Sequence, residues 1–177
     1  MKALRYFGER DIRHDSMEDP KLESDRDAIV QMTACSICGS DLHIYHGHGF
    51  SEDTGFCVGH EAVGEVVEVG RAVTRVKVGD KVMMPAAVGC GACRSCLSGV
   101  VNNCENNGSG CYGLSARLQG VQAEAFRVPA ADMNAVKIPE GISEDQALMM
   151  TDAMATAWFG ARNADIRPGS SVGVIGL

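Results

Sequence analysis

No stretch of the 177-residue chain approaches the ~20 uninterrupted apolar residues that would span a bilayer. The opening segment MKALRYFGER turns charged before an apolar h-region can form, so no secretory signal is read there and a cytoplasmic location is expected. Internal repeats and low-complexity tracts are missing too. Basic charge is in short supply: 16 Lys+Arg against 23 Asp+Glu leave a formal net charge of −7. Such net repulsion disfavours general binding to nucleic acid or anionic membrane surfaces, and neither partner is expected. With 45% hydrophobic and 22% charged residues, the composition is that of an ordered globular chain. The length suits one domain of ~100–200 residues.

Glycine and cysteine are what the chain has in quantity. Its 21 glycines point to many tight turns and a strand-rich, loop-rich body rather than a helical bundle. Short strands are predicted over Ala3–Phe7, Ala28–Thr33, Ala62–Val69, Lys81–Met84, Ala123–Val128 and Ala135–Ile138, and a short helix within Ser36–Tyr45. Ser143 followed by Gln146 reads as a capping box opening a helix near Glu144. Ala147, Met150, Met154 and Trp158 continue at helical spacing, the methionines expected mainly in the core. Pro168-Gly169 ends that segment, and a buried strand is expected from Ser171 to Leu177.

Eight cysteines in a chain expected to be cytosolic point to metal binding or catalysis before disulfides. Cys90, Cys93, Cys96 and Cys104 follow C-x2-C-x2-C-x7-C inside Val88–Gly113, a stretch with five cysteines, six glycines and almost no periodic apolar signal. Two-residue gaps let a turn direct successive sulfurs to one centre, and four thiolates suit a closed, structural Zn²⁺. Metal binding would also order a loop too long to order itself. An iron–sulfur cluster and unliganded thiols are the alternatives; ferredoxin runs have other spacings and commonly a Pro after the last Cys, where this chain has Glu105.

Three further segments hold a second set of donors: Cys38-Gly39-Ser40-Asp41-Leu42-His43, Gly59-His60-Glu61 and Thr151-Asp152. One thiolate, one imidazole and one carboxylate would hold Zn²⁺ and leave its fourth position open. Taken singly, each has an ordinary structural explanation. A Gly-His-Glu can be a satisfied turn, and a helix Asp is usually solvated.

In this order, with the four-cysteine lobe after them, the segments resemble the zinc-dependent medium-chain alcohol dehydrogenases over essentially the whole chain. The resemblance implies a mainly β fold with short helices, a GroES-like partly open β-barrel bearing a structural-zinc lobe, over residues 1–170. Residues 171–177 would start a truncated Rossmann domain, with Gly176 as the first glycine of its G-x-G-x-x-G turn. It further implies two zinc ions. Cys38, His60 and Asp152 would bind the catalytic one and Cys90, Cys93, Cys96 and Cys104 the structural one. Asp41 would orient His60, and Glu61 would approach the metal during ligand exchange. Ser40 would take the substrate's proton and His43 pass it to water, as suits a side chain that titrates near neutrality.

Thr156 falls beside the nicotinamide in the family; a hydroxyl bonded to its own helix backbone is the alternative. The cofactor would be NAD or NADP, and the substrate a small-molecule alcohol or carbonyl compound. An Asp as third ligand tilts that substrate towards secondary alcohols or small aldehydes. The parent enzyme is expected to be a homo-oligomer, and these 177 residues alone are expected to be inactive in hydride transfer. A polyol or sugar dehydrogenase and a non-catalytic zinc-binding domain are the competing readings. Cys35 and Cys38 also form a C-x2-C, a redox-pair alternative that the residues after Cys38 argue against. Cys57 and Cys111 have no role in the family pattern, and His46 and His48 are expected to face solvent or line the pocket.

Overall fold

The structure is a computed structural model that describes residues 1–106 and 110–175. In chain order its strands and helices are β1 (Lys2–Gly8), β2 (Asp11–Ser16), β3 (Ala28–Cys35), α1 (Gly39–Tyr45), β4 (Phe56–Cys57), β5 (Ala62–Val69), β6 (Lys81–Met83), β7 (Ala87–Val88) and α2 (Arg94–Leu97). There follow β8 (Gly110–Cys111), β9 (Ala125–Val128), α3 (Ala131–Asn134), β10 (Val136–Lys137), α4 (Glu144–Thr151) and α5 (Ala153–Asn163). The fold is mainly β with short helices, as expected.

Three antiparallel sheets carry it, with strand orders β2-β1-β4, β10-β6-β5-β3-β9 and β7-β8. Residues 122–124 join the first two sheets. Leu4 N–H donates to Gln122 O at 2.9 Å, Glu124 N–H to Lys2 O and Met32 N–H to Glu124 O, both at 3.0 Å. No closed barrel forms among the described residues: the first sheet packs Tyr6 and Phe56 with Ile44 and Val58, and the five-stranded sheet has a core of its own. That core holds Val30, Val66, Val82, Val128, Tyr112 and Phe126. Its small β-branched side chains pack well on a pleated surface, which is why the Val-rich β5 sits centrally in the five-stranded sheet.

Three expectations need correction. β2 was not expected: its sequence DIRHDS has no apolar alternation, and it is an edge strand paired only with β1. The run from Glu144 is two helices, because Asp152 between them takes φ −143° and ψ −64°. The capping box of α4 is present, with Gln146 N–H donating to Ser143 Oγ at 3.2 Å and Ser143 N–H to Gln146 Oε1 at 3.0 Å. Beyond the break, however, Met154 and Trp158 are exposed, as is Met149 before it. Finally, residues 171–175 form no strand and are exposed, since no described segment offers them a ladder to join. No helix among the described residues is long and apolar enough to cross a membrane.

Candidate metal centre

The end of β3 and the start of β5 lie side by side, Cys35 opposite Ala62. This pairing brings the segment entering α1 next to Gly59-His60-Glu61. Gly59 has φ +90°, a conformation that L side chains rarely adopt, and the Gln122 side chain fills the space its Cβ would need. The turn it permits delivers His60, buried, to the front of the sheet.

Cys38 sits at the N-terminus of α1, where its extended backbone aims the sulfur inward. The helix break supplies the third donor, Asp152. Asp152 Oδ2 lies 3.3 Å from His60 Nε2 and 3.7 Å from Cys38 Sγ. Ligand bonds of ~2.0–2.3 Å in a tetrahedron separate donor atoms by about 3.3–3.8 Å. The three donors are thus spaced for one small divalent cation. Two groups able to carry negative charge face each other here, an arrangement that a cation would relieve. Glu61, also buried, adds a fourth potential ligand atom, all four lying within 4.8 Å of one another.

Asp41 ties two of these segments together. Its Oδ2 accepts a hydrogen bond from Cys38 N–H at 2.9 Å, and its Oδ1 faces His60 Nδ1 at 3.4 Å. Both facing atoms are buried and complete no hydrogen bond. An imidazole whose Nε2 met a metal would keep its proton on Nδ1 and draw this pair closer. Burial works against a charged His60, but Asp41 and Cys38 outweigh it and raise its pKa to about 9.

Ser40 and His43 lie one turn apart on α1. Ser40 Oγ is 3.7 Å from Cys38 Sγ, whereas His43 is exposed. No hydrogen bond joins these two side chains among the described residues. Thr156, expected beside a cofactor ring or bonded to its own backbone, donates through its Oγ1 to Asp152 Oδ1 at 2.7 Å. It holds the oxygen of Asp152 that faces away from His60. The i, i+4 spacing across the start of α5 was the available signal, hidden because no helix break was expected. Gly176 lies outside the described residues.

The other four cysteines form a second buried cluster whose sulfurs all lie within 4.8 Å of one another. Cys93 and Cys104 Sγ are 4.0 Å apart, far beyond a disulfide bond and near the ~3.8 Å edge of a Zn–S tetrahedron. Backbone amides of Ala92 and Cys93 and the Asn106 side chain donate to Cys90 Sγ at 3.2–3.4 Å, and Cys96 N–H donates to Cys93 Sγ. These donors draw the Cys90 thiol well below the usual thiol range. Deprotonated sulfur is the form that binds metal. Burial pushes Cys96 up to about 11 and Cys57 and Cys111 up to about 12; Cys96 differs from the other two in sitting among three further sulfurs that a shared metal would hold as thiolates. His46 and His48 are exposed, as expected.

A medium chain reductase/dehydrogenase of Acremonium sp is 45% identical over 165 residues, which are 93% of this chain and 55% of that protein. The formaldehyde dismutase of Pseudomonas putida is 35% identical over 194 residues, covering 99% of this chain and 48% of its own. The solved alcohol dehydrogenase TADH from Thermus sp. ATN1 superimposes with a TM-score of 0.89 at 35% identity, over 96% of this chain and 49% of that one. The chain spans about half the length of the curated relatives it matches. Residues 24–140 match the alcohol dehydrogenase GroES-like domain, and the chain belongs to that family.

Proposed function

We propose that Cys38, His60 and Asp152 hold a catalytic zinc ion, that Cys90, Cys93, Cys96 and Cys104 hold a structural one, and that the protein interconverts alcohols and carbonyl compounds with NAD or NADP as hydride partner. The observation that carries this reading is the convergence of three chemically different donors from three distant segments, backed by the buried Asp41. The carboxylate among the donors and the likeness to a formaldehyde dismutase favour small aldehydes or secondary alcohols as substrates.

When bound, zinc supplies Lewis-acid stabilisation of the substrate oxygen as negative charge gathers there. The chain's own residues do the rest. Cys38, His60 and Asp152 come from a helix start, a strand start and a helix break, so the donor set is held by backbone geometry. With a metal at Nε2, Asp41 would hold the proton on His60 Nδ1 and so set the ring's orientation. Ser40, beside Cys38, is placed to take up the alcohol's proton while releasing its own, and His43, one turn on and exposed, would receive that proton through a bridging hydroxyl or water and pass it to solvent. Hydride transfer needs the cofactor beside this face, where the exposed α5 also lies.

Metal content tests the proposal. The purified protein should carry two zinc ions per chain, one lost on Cys38→Ala or His60→Ala and the other on Cys93→Ala. A single ion, insensitive to Cys38 and His60, would show a structural zinc domain without a catalytic centre. Thr156→Val should weaken zinc at the first site by about tenfold in chelator competition, because Asp152 loses the bond that orients it. Thr156→Ser should restore it; unchanged affinity in Thr156→Val would mean that the hydroxyl does not steer Asp152.

A further inference from the structure

Glu61 poses a problem that the proposed metal centre must solve. It is a buried carboxylate within reach of the same point as Cys38, His60 and Asp152. If it bound as well, four protein ligands would close the site and leave no position for substrate. Zinc would then face three anionic ligands.

Ser36 supplies a restraint. Its hydroxyl donates a hydrogen bond to Glu61 Oε2, and its backbone N–H donates to Glu61 O at 3.1 Å. Ser36 is itself fixed from the other side: Gln122 Nε2 donates to Ser36 O at 3.1 Å. Gln122 is buried against Gly59, the residue whose turn delivers His60 and Glu61. Ser36 therefore sits between a braced backbone and the carboxylate that, among the described residues, could close the site.

We propose that Ser36 is a positioning residue whose hydroxyl holds the Glu61 carboxylate back and so keeps the fourth metal position open. This inference rests on the proposed catalytic metal centre. Without the hydroxyl, Glu61 keeps its burial but loses its partner, and the metal is the nearest group that can compensate it. The carboxylate then swings onto the metal, and external ligands must compete with it.

The test uses the purified protein with cobalt(II) in place of zinc and imidazole as the probe ligand. Imidazole should change the visible d–d bands only at the open centre, because four sulfurs close the lobe. In Ser36→Ala, the imidazole Kd should rise about tenfold or more. Ser36→Gly removes the same hydroxyl and should behave alike if the alanine variant folds poorly. Ser36→Thr, which restores a hydroxyl, should return the Kd towards that of the unmodified protein. So should Ser36→Ala combined with Glu61→Gln, whose neutral amide competes weakly for the metal.

An unchanged Kd in both Ser36→Ala and Ser36→Gly would overturn the restraint while leaving the metal centre standing. A loss that persists in the Glu61→Gln combination would also overturn it, since Glu61 would not be the competitor. If the unmodified protein shows no imidazole-sensitive cobalt bands, the open metal centre itself fails, and the role of Ser36 with it.

Discussion

Replacing Cys93 by Ser should remove one zinc ion per chain and lower the thermal midpoint by about 10 °C or more. Little apolar material is available to hold the lobe in the metal's absence. Its buried cluster consists of the four cysteines alone, and Leu97 and Val100 are exposed. Its amide-to-sulfur bonds need the sulfurs kept close together, which a shared metal would do. Structural zinc contributes ~10–16 kcal/mol to folding in zinc-finger peptides, so losing even part of such a term outweighs most single substitutions. Zinc release followed with a colorimetric chelator, alongside a melting curve, checks the prediction. Unaltered zinc content and midpoint would show that the lobe is ordered by its loops and not by metal.

How much of this was legible in the sequence differs by residue. β3 and β5 were readable because apolar, β-branched residues crowd the middle of a sheet. The four-cysteine lobe was readable because its order depends on close spacing along the chain. β2 was not, since its side chains contribute almost no buried surface and its place is set by pairing with β1. The bonds from Ser36 to Glu61 and from Gln122 to Ser36 join residues 25 and 86 positions apart. No local pattern marks them. The break at Asp152 was hidden for a different reason: helical periodicity ran through it, while the non-helical backbone there is what turns its carboxylate towards His60. Local rules fail at such a residue because the site, and not the helix, sets its conformation.

Asn134 offers the other large effect, and its logic does not involve the metal at all. Its fully buried side chain closes α3 against the residue just before the first lobe cysteine. Asn134 Nδ2 donates to Gly89 O at 2.8 Å and to Pro129 O at 2.7 Å, and Oδ1 accepts from Gly89 N–H at 3.1 Å. One amide thus satisfies three backbone groups that lie away from water. Asn134→Ala would leave all three without a partner, at about 1–3 kcal/mol each, and a cavity as well. A total loss of about 3–5 kcal/mol is expected in urea unfolding, less if water enters. Asn134→Asp separates shape from hydrogen bonding, since it keeps the volume and the acceptor facing Gly89 N–H. It replaces the two donated bonds with repulsion between a carboxylate and two carbonyl oxygens. The aspartate variant should therefore be no more stable than the alanine one at neutral pH. If it unfolds at the same urea concentration as the unmodified protein, Asn134 only fills space, and the hold on Gly89 must come from elsewhere in the loop.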